Sequence, residues 1–331
     1  MQLALWELTG HHGELNPQAG AARVFHLAEQ GDIPAQLLAA VLHATGSGVP
    51  EQWDDACGWL LRAARSGSTR AFTQLAVLLP PDHPDLDVVI ELASAAKSPR
   101  PPRLPEKTLA RFTSEIELPH ERPLPEVTWS RETPAMRLYP GALTPAECRY
   151  LAAAGAPFLA PARVNDGGRG NQTDHSRNNK AAALGLVEAD LVTCSLRKRL
   201  AAAGQRPASH AEMISVLHYE VGQAYQPHHD FFDPDLPTHA RNLQRSGQRC
   251  TTVLAWLNDG FEGGHTRFHR LRLELRGGPG DVLAFANVTE DGAVNRQMLH
   301  EGASPTEGQK WLASLWLRNQ PTPGFGVSVD V

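Results

Sequence analysis

The side chains best suited to bind a metal ion are His228 and Asp230, which are two residues apart in a segment that we predict to be a strand. Side chains at positions i and i+2 of a strand point to the same face, so His229 between them should face the other way. A third ligand is available downstream at His300. Two imidazoles and one carboxylate on one face form a facial triad that leaves the opposite coordination positions of the metal open. The sequence therefore predicts a metal site at these three residues.

Short strands must position these ligands. Segments rich in β-branched, aromatic or alternating apolar residues surround the predicted site, and turns that contain Gly or Pro separate them. We predict strands at residues 213–219, 249–257, 266–268, 281–285 and 310–318. The predicted ligands thus belong to a region of β structure in the second half of the chain.

The order and spacing of the residues in this region resemble a known enzyme family. The shared elements are Tyr-x-x-Gly-x-x-Tyr-x-x-His-x-Asp from Tyr219, Gly-Gly-x-Thr-x-Phe at 263–268, the distal His300, Lys310 ten residues later, and Trp-x-Arg at 316–318. Over roughly residues 135–320 the chain resembles the prolyl 4-hydroxylase branch of the Fe(II)/2-oxoglutarate dioxygenases. The resemblance implies a double-stranded β-helix (jelly-roll) core with the triad at its mouth, and the order of strands and turns is compatible with that fold.

The resemblance also implies the cofactors and the residues that bind them. It makes the predicted triad the ligand set for Fe(II), and it implies 2-oxoglutarate as cosubstrate, with ascorbate as a further candidate. Lys310 and Tyr219 match residues that bind the distal carboxylate of 2-oxoglutarate, a role that suits an ammonium and a phenol hydroxyl. Thr266 matches a residue that lines the cosubstrate pocket. The family's usual acidic residue before this Thr is replaced by His265, which bears on the substrate more than on the reaction.

Candidates for substrate contact lie around the open side of the predicted metal site. Arg249 and Trp316 match positions close to the substrate in family members, and Arg177 is a further candidate. It belongs to a polar, Gly-rich stretch at 165–179, which we interpret as a lid loop. A second long polar loop is predicted at 231–248.

Three functions are compatible with these residues. The first is a hydroxylase that uses O2 and 2-oxoglutarate to modify prolyl residues of a protein or peptide, as the family branch implies. The second is a hydroxylase of a free amino acid or small metabolite. The third is a metal-binding protein without enzymatic activity that binds partners through its N-terminal region. Lys310 and Tyr219 argue against the third, because a metal site alone needs no group that binds a dicarboxylate.

The N-terminal third has helical spacing of its apolar residues, and its pattern repeats. Residues 21–39 match residues 57–75 with an offset of 36 residues between Gly31 and Gly67, and a partial third copy covers residues 87–98. Small residues at fixed positions let paired helices approach closely. The region resembles Sel-one-like repeats of the tetratricopeptide type, which implies either a protein-binding surface or packing on the catalytic domain. An ordinary Ala-rich helical bundle is the alternative.

We therefore predict a multidomain α+β chain with N-terminal helical repeats followed by a jelly-roll domain with supporting helices. Its parts are a helical repeat domain at 1–98, a Pro-rich linker at 99–134 and a dioxygenase domain at 135–331. The linker contains a short predicted helix near 107–112 between Pro-rich stretches. A capping box of Thr144 and Glu147 predicts the start of a helix that supports the β domain.

Composition narrows the class of protein further. The formal net charge is −5 and the hydrophobic content is 41%, which is typical of a globular protein and argues against nonspecific nucleic-acid binding. The four cysteines are scattered without a Cys-x-x-Cys pair, a pattern that favours free thiols in a reducing compartment. The sequence lacks a signal-peptide pattern and a membrane-spanning stretch. We therefore expect a cytoplasmic protein that binds neither nucleic acid nor membranes.

Overall fold

The computed structural model describes residues 1–94, 104–162 and 176–322 of the 331-residue chain. The chain divides into two compact units. The first comprises Met1–Arg122 and Leu186–Leu196, and the second comprises Pro123–Gly185 and the described residues from Arg197 onward. Residues 95–98 of the predicted third repeat copy and residues 165–175 of the predicted lid lie outside the described residues.

The first unit is helical. Its helices are α1 (Gln2–Thr9), α2 (Pro17–Glu29), α3 (Ile33–Thr45), α4 (Trp53–Arg65), α5 (Thr69–Leu78), α6 (Leu86–Ser94) and α7 (Glu106–Phe112). Asn16, Asp32 and Ser68 precede α2, α3 and α5, and the side chain of each accepts a hydrogen bond from a backbone N–H in the first turn. These bonds satisfy donors that a helix leaves without an internal partner. In the part of the chain that the structure describes, none of the helices combines the length and apolar composition needed to cross a membrane.

The second unit is built around antiparallel β-sheets. Its strands are β1 (Trp129–Arg131), β2 (Met136–Tyr139), β3 (Ala160–Pro161), β4 (Lys180–Leu184), β5 (Ile214–Tyr219), β6 (Tyr225–His228), β7 (Arg249–Trp256), β8 (Phe261–Gly263), β9 (Thr266–Phe268), β10 (Leu273–Leu275), β11 (Val282–Ala286), β12 (His300–Gly302), β13 (Pro305–Gly308) and β14 (Lys310–Arg318). Helices α8 (Pro145–Gly155) and α10 (Ala240–Ser246) also belong to this unit, and α9 (Leu191–Ala203) contributes residues to both units.

Two of the sheets supply the framework of the site. The larger has the strand order β1-β2-β11-β7-β14-β5-β4-β3, and the smaller has the order β10-β9-β12-β6. Neighbouring strands pair antiparallel throughout both sheets. A further two-stranded sheet pairs β13 with β8. This arrangement of antiparallel sheets agrees with the coarse fold class that the sequence predicts.

The core of this unit joins residues of both sheets. Leu217, Leu254 and Leu283 of the larger sheet and Phe268 of the smaller sheet belong to one buried apolar cluster. Phe268 and Phe285 meet edge to face, with ring centroids 5.1 Å apart and planes at 85°, a favourable geometry for two aromatic rings. The sheets therefore pack face to face through their apolar side chains, as expected of a two-layer β fold.

Several local predictions are confirmed. The strands predicted at 213–219, 249–257, 281–285 and 310–318 are β5, β7, β11 and β14, with ends shifted by at most one residue. Helix α8 begins with the predicted capping box, in which the Thr144 and Glu147 side chains each accept a hydrogen bond from the other's backbone N–H.

Two local predictions are wrong. The predicted loop at 231–248 contains a 3-10 helix at Pro237–His239 and then α10. Its ends are held together because the Phe232 N–H donates to Gln248 Oε1 at 2.7 Å and Gln248 Nε2 donates to the Phe232 carbonyl at 2.6 Å. The predicted strand through Asp230 is also too long, since β6 ends at His228.

Candidate metal centre

Strand pairing brings the two predicted histidine ligands together. His228 ends β6, His300 begins β12, and the two residues are direct partners in the antiparallel register of these strands. Their ring centroids lie 4.4 Å apart. Asp230 follows β6 by two residues, so the turn of the chain after the strand places its carboxylate beside both rings.

The three side chains form a compact cluster of ligand atoms. One ligand atom from each of His228, Asp230 and His300 lies within 4.8 Å of the other two. His228 Nε2 is 3.5 Å from Asp230 Oδ1, and His300 Nε2 is 3.5 Å from Asp230 Oδ2. Asp230 and His300 are buried, with exposed fractions of 7% and 5%. The spacing leaves room for an ion among the three groups, which suits a divalent metal.

Backbone carbonyls set the tautomer of both histidines. His228 Nδ1 lies 2.8 Å from the Gln226 carbonyl, and His300 Nδ1 lies 2.9 Å from the Met298 carbonyl. Because a carbonyl can only accept, each Nδ1 carries the hydrogen and donates it, which leaves the Nε2 lone pair free to bind a metal. The donor set therefore fits a metal ion of the kind that neutral imidazole and carboxylate bind.

The charge states of the ligands also suit a metal. Burial, with His228 close by, lowers the pKa of His300 to about 4, so its ring is neutral at pH 7. Burial alone would raise the pKa of Asp230, but the neighbouring imidazoles of His300 and His228 and the hydrogen bond from Thr252 lower it below its usual range. The site thus presents a carboxylate and an uncharged imidazole from its buried side.

His229 lies apart from this cluster. Its Nε2 donates to the Arg296 carbonyl at 3.1 Å, and its ring is 4.6 Å from the ring of Phe231. It is not among the described residues whose ligand atoms converge with those of Asp230. Its orientation agrees with the prediction that it faces away from its two neighbours.

A cavity opens beside the three ligands. The described residues that line it include the predicted candidates Tyr219, Thr266, Trp316 and Arg177. The remaining lining residues are Leu217, Tyr225, His228, Asp230, Leu254, His300, Gly302, Leu312 and Ser314. The structure therefore brings four of the predicted cosubstrate and substrate residues to the same cavity as the metal ligands.

Lys310 lies at the edge of this region, fully buried. It is paired with Tyr219 in the register of β14 and β5, and its Nζ is 5.0 Å from the Tyr219 ring centroid. Its Nζ has no hydrogen-bond partner among the described residues, and Lys310 itself is not among those that line the cavity. Burial lowers the pKa of Lys310 to about 7 and raises the pKa of Tyr219 to about 12. A buried ammonium without a partner is costly, so this position fits an anionic ligand that is not part of the chain.

Two glycines keep space open around these side chains. A Cβ atom at Gly302 would lie 3.2 Å from the Tyr219 hydroxyl, and one at Gly264 would lie 3.2 Å from Lys310 Cδ. Gly264 also has a φ of +63°, which favours glycine. Both glycines therefore pack closely against these side chains, and at Gly264 a Cβ atom would meet the Phe261 ring first, at 2.8 Å.

Arg249 is placed differently from the other substrate candidates. It is not among the described residues that line the cavity, and its guanidinium makes a two-point ion pair with Glu212, at 2.7 Å for each bond. It also stacks 3.9 Å from the centroid of the Trp316 ring. Arg318 Nε donates to the same Glu212 carboxylate at 2.7 Å. Arg249 therefore does not line the cavity itself, but it packs against the ring of Trp316, which does.

Three residues of the site received no role from the sequence. Tyr225 stacks on His228 with ring centroids 3.4 Å apart and planes at 15°, and the Arg177 guanidinium lies 4.5 Å from the Tyr225 centroid. Thr252 Oγ1 donates to Asp230 Oδ2 at 2.6 Å, and Asn287 Nδ2 donates to Thr252 Oγ1 at 2.8 Å. The feature of the sequence that could have identified Thr252 is its polar side chain within the predicted apolar strand at 249–257.

The chain is similar in sequence to 2OG-Fe(II) oxygenases and to prolyl 4-hydroxylases. The sequence model of the 2OG-Fe(II) oxygenase superfamily matches residues 214–318. The chain is 34% identical over 212 residues to prolyl 4-hydroxylase 1 of Arabidopsis thaliana, covering 59% of this chain and 72% of that protein. It is 30% identical over 231 residues to probable prolyl 4-hydroxylase 10 of the same plant, covering 64% and 77%. Among solved structures, a viral collagen prolyl hydroxylase of Paramecium Bursaria Chlorella virus-1, in a complex with 2OG, matches with a TM-score of 0.42 and 22% identity, covering 55% of this chain and 94% of that one.

Proposed function

The chain belongs to the 2OG-Fe(II) oxygenase superfamily, and from that premise we propose that it hydroxylates prolyl residues of a protein or peptide. It is a 2-oxoglutarate-dependent dioxygenase with prolyl 4-hydroxylase homologues. The observation that carries the proposal is a single cavity that joins a His-Asp-His triad to Tyr219 and, at its edge, to the unpartnered ammonium of Lys310. A metal-binding protein without enzymatic activity would have no use for that buried cation.

We assign Fe(II) to the Nε2 atoms of His228 and His300 and to the carboxylate of Asp230. When bound, the iron supplies the O2 chemistry that protein side chains lack. The chain's own part is to present two imidazoles and one carboxylate in fixed orientations, because hydrogen bonds already hold all three groups. Ascorbate is a further proposed cofactor that rests on the family resemblance alone.

We assign the distal carboxylate of 2-oxoglutarate to Lys310 and Tyr219. The carboxylate would give the Lys310 ammonium its missing partner and so favour its charged form, while the neutral Tyr219 hydroxyl donates a hydrogen bond. Thr266, buried in the cavity wall, lies within the same pocket. This end of the cavity thereby orients the cosubstrate toward the triad.

The net reaction converts a substrate C–H bond, O2 and 2-oxoglutarate into a hydroxylated product, succinate and CO2. The protein contributes orientation and the exclusion of water from a largely buried cavity. Arg177 and Trp316 line that cavity and are the proposed contacts for the prolyl substrate, and Arg249 packs against the Trp316 ring. The polypeptide nature of the substrate is supported by the prolyl 4-hydroxylase homologues.

The test of this proposal is an assay for succinate. Purified protein with Fe(II), O2 and 2-oxoglutarate should release succinate faster when a prolyl peptide is added, and the peptide should gain the mass of one oxygen atom. A matched peptide with alanine in place of proline is the control. Stimulation by free proline or another small metabolite, with no response to prolyl peptides, would overturn the assignment of a polypeptide substrate while leaving the enzyme class intact.

We further propose that the N-terminal helices are Sel-one-like repeats that recruit a protein substrate. What supports this is the equivalence of positions 36 residues apart: Gly31 and Gly67 have φ values of +89° and +84°. Asp32 and Ser68, which follow them, cap α3 and α5 by accepting from Ala35 and Ala71. Such matched caps and small residues are typical of stacked helix pairs.

The proposed domain bounds are 1–98, 99–134 and 135–331, with a double-stranded β-helix in the last. A chain that begins near Pro125 should keep slow 2-oxoglutarate turnover but lose activity on a protein substrate, because the local concentration of substrate falls. Equal activity of the folded short chain and the whole chain on one protein acceptor would instead favour a purely structural role for the helices.

The proposed location is the cytoplasm. All four cysteines are described, all are free thiols, and all are buried. Burial raises the pKa of Cys57 and of Cys148 to about 12, so these thiols are unreactive. This pattern supports a reducing compartment. Fractionation of cells that express the chain would test it.

A further inference from the structure

A chain of hydrogen bonds reaches Asp230 from the larger sheet. Asn287 Nδ2 donates to Thr252 Oγ1 at 2.8 Å, and Thr252 Oγ1 donates to Asp230 Oδ2 at 2.6 Å. All three residues are buried, with exposed fractions of 0% for Asn287, 1% for Thr252 and 7% for Asp230. Water therefore has little access to these bonds, and their strength is that of a low-dielectric interior.

The direction of each bond follows from the chemistry of the groups. An ionised carboxylate can only accept hydrogen bonds, so the Thr252 hydroxyl must give its single hydrogen to Asp230. The hydroxyl oxygen can then only accept, and the group that faces it must be the amide nitrogen of Asn287. A hydroxyl-to-carboxylate bond of 2.6 Å has the length of a charge-assisted bond, which is stronger than a neutral one.

The two donors stand on backbone that is hydrogen-bonded within the larger sheet, whereas the acceptor lies beyond the end of its strand. Thr252 lies within β7 and is paired with Phe285 of β11 on one side and Trp316 of β14 on the other. The Asn287 N–H donates to the Cys250 carbonyl at 2.8 Å, which ties the residue after β11 to β7. Asp230 lies beyond the last residue of β6 and has no strand partner among the described residues. Its carboxylate must therefore take its orientation from side-chain contacts.

We propose that Thr252 and Asn287 are positioning residues that hold the Asp230 carboxylate in its metal-binding orientation and so set the affinity of the site for its ion. The β-branched Thr252 has few rotamers open to it in a strand, and Asn287 removes the freedom of its hydroxyl. The carboxylate is thus oriented before a metal arrives. This inference rests on the proposed role of Asp230 as an iron ligand.

The experiment compares Co(II) binding by metal-free parent and variant proteins, followed by the visible absorption of the bound ion. Thr252→Val replaces the hydroxyl by a methyl group of similar size and should raise the Co(II) dissociation constant by about 10–100-fold, the usual effect of losing such a partner. Thr252→Ser keeps the hydroxyl and should restore binding to near the parent value. Asn287→Ala leaves the hydroxyl free to rotate and should give an intermediate loss.

Thr251→Val is the matched control. It removes the neighbouring hydroxyl from the same strand, on the opposite face of the sheet, and should leave Co(II) binding unchanged. Thermal unfolding of the metal-free proteins separates a loss of fold from a loss of affinity, because a purely structural role would lower the midpoint without changing the dissociation constant of the folded protein.

The possible outcomes separate the proposed role of Thr252 and Asn287 from the assignment of the iron site. A Thr252→Val protein that binds Co(II) like the parent, or a Thr252→Ser protein as weak as Thr252→Val, overturns the inference and leaves the iron assignment standing. A parent protein that fails to bind Co(II) overturns both. If Thr252→Val does not fold, Asn287→Ala carries the test, since unchanged binding by that variant contradicts the proposed chain of bonds.

Discussion

Each of the three metal-ligand side chains has a hydrogen-bond partner, whereas the ammonium of Lys310, beside Tyr219 of the cavity wall, has none among the residues that the structure describes. Gln226 and Met298 carbonyls hold the two imidazoles, and Thr252 holds the carboxylate. Under the proposed assignment, the protein orients the metal ligands before the metal binds, and the cosubstrate supplies the anion that balances the charge of Lys310.

The largest effect should come from removing one of the three proposed metal ligands. His228→Ala, Asp230→Ala and His300→Ala each remove one of three protein ligands, so we expect stoichiometric iron binding and 2-oxoglutarate turnover to be lost. Elemental analysis of the purified variants measures the first and succinate release the second. Full turnover in any of the three would show that the triad is not the iron site.

A substitution of Lys310 should weaken the binding of 2-oxoglutarate with little effect on the binding of iron. Lys310→Met keeps an unbranched side chain, one atom shorter, but removes the charge, so the buried carboxylate of 2-oxoglutarate loses its partner at a cost of about 3–5 kcal/mol. We expect a large rise in the 2-oxoglutarate Michaelis constant with little change in iron content. Without cosubstrate the same variant should be more stable by about 1–3 kcal/mol, because an unpartnered buried ammonium is gone. Unchanged affinity for 2-oxoglutarate would contradict the assignment of Lys310.

The buried side chain of Lys310 should also make the stability of the protein depend on pH. Burial lowers the pKa of Lys310 from 10.5 to about 7, so between these values the unfolded chain binds more protons at this residue than the folded one. Stability therefore rises with pH across that window, and the cost of burial is fully present below pH 7. Thermal unfolding of cosubstrate-free protein should show a midpoint that rises with pH more steeply in the parent than in Lys310→Met. Parallel curves for the two proteins would mean that another group controls the slope.

The smallest effect is expected at His229, the histidine between two ligands. His229→Ala should leave iron content near that of the parent, because this ring bonds to the Arg296 carbonyl and lies outside the cluster. Iron content measured beside His228→Ala makes the comparison direct. An equal loss in both variants would require a different register for this part of the chain.

The parts of the site that follow from local pattern were predictable. Strands β5, β7 and β14 have largely apolar sequences that are typical of buried strands. Alternation also predicted that His229 faces away from its neighbours, although β6 itself ends at His228. The position of His300 opposite His228 came from resemblance to a family, since no local rule pairs residues so far apart.

Other parts depend on contacts between distant segments and were not predictable from the sequence. The pairing of Arg249 with Glu212 and the bond from Thr252 to Asp230 arise only when separate elements pack together. The polar segment at 231–248 is partly helical, and hydrogen bonds between Phe232 and Gln248 join its ends, a contact that composition does not reveal. Helix α9 was likewise not predicted, since Thr, Cys, Ser and Arg interrupt its apolar pattern.

The pairing of His228 with His300 couples metal binding to the stability of the folded protein. These residues join β6 and β12, strands of four and three residues whose register shifts between the His228–His300 pair and the Tyr225–Gly302 pair. An ion bound by both rings would cross-link the two strands at that irregular point, so its binding energy would add to the stability of the smaller sheet. We expect the unfolding midpoint to climb with the logarithm of the Fe(II) concentration, and a midpoint indifferent to Fe(II) would rule this out. Iron scarcity would then reduce the amount of folded protein as well as its activity.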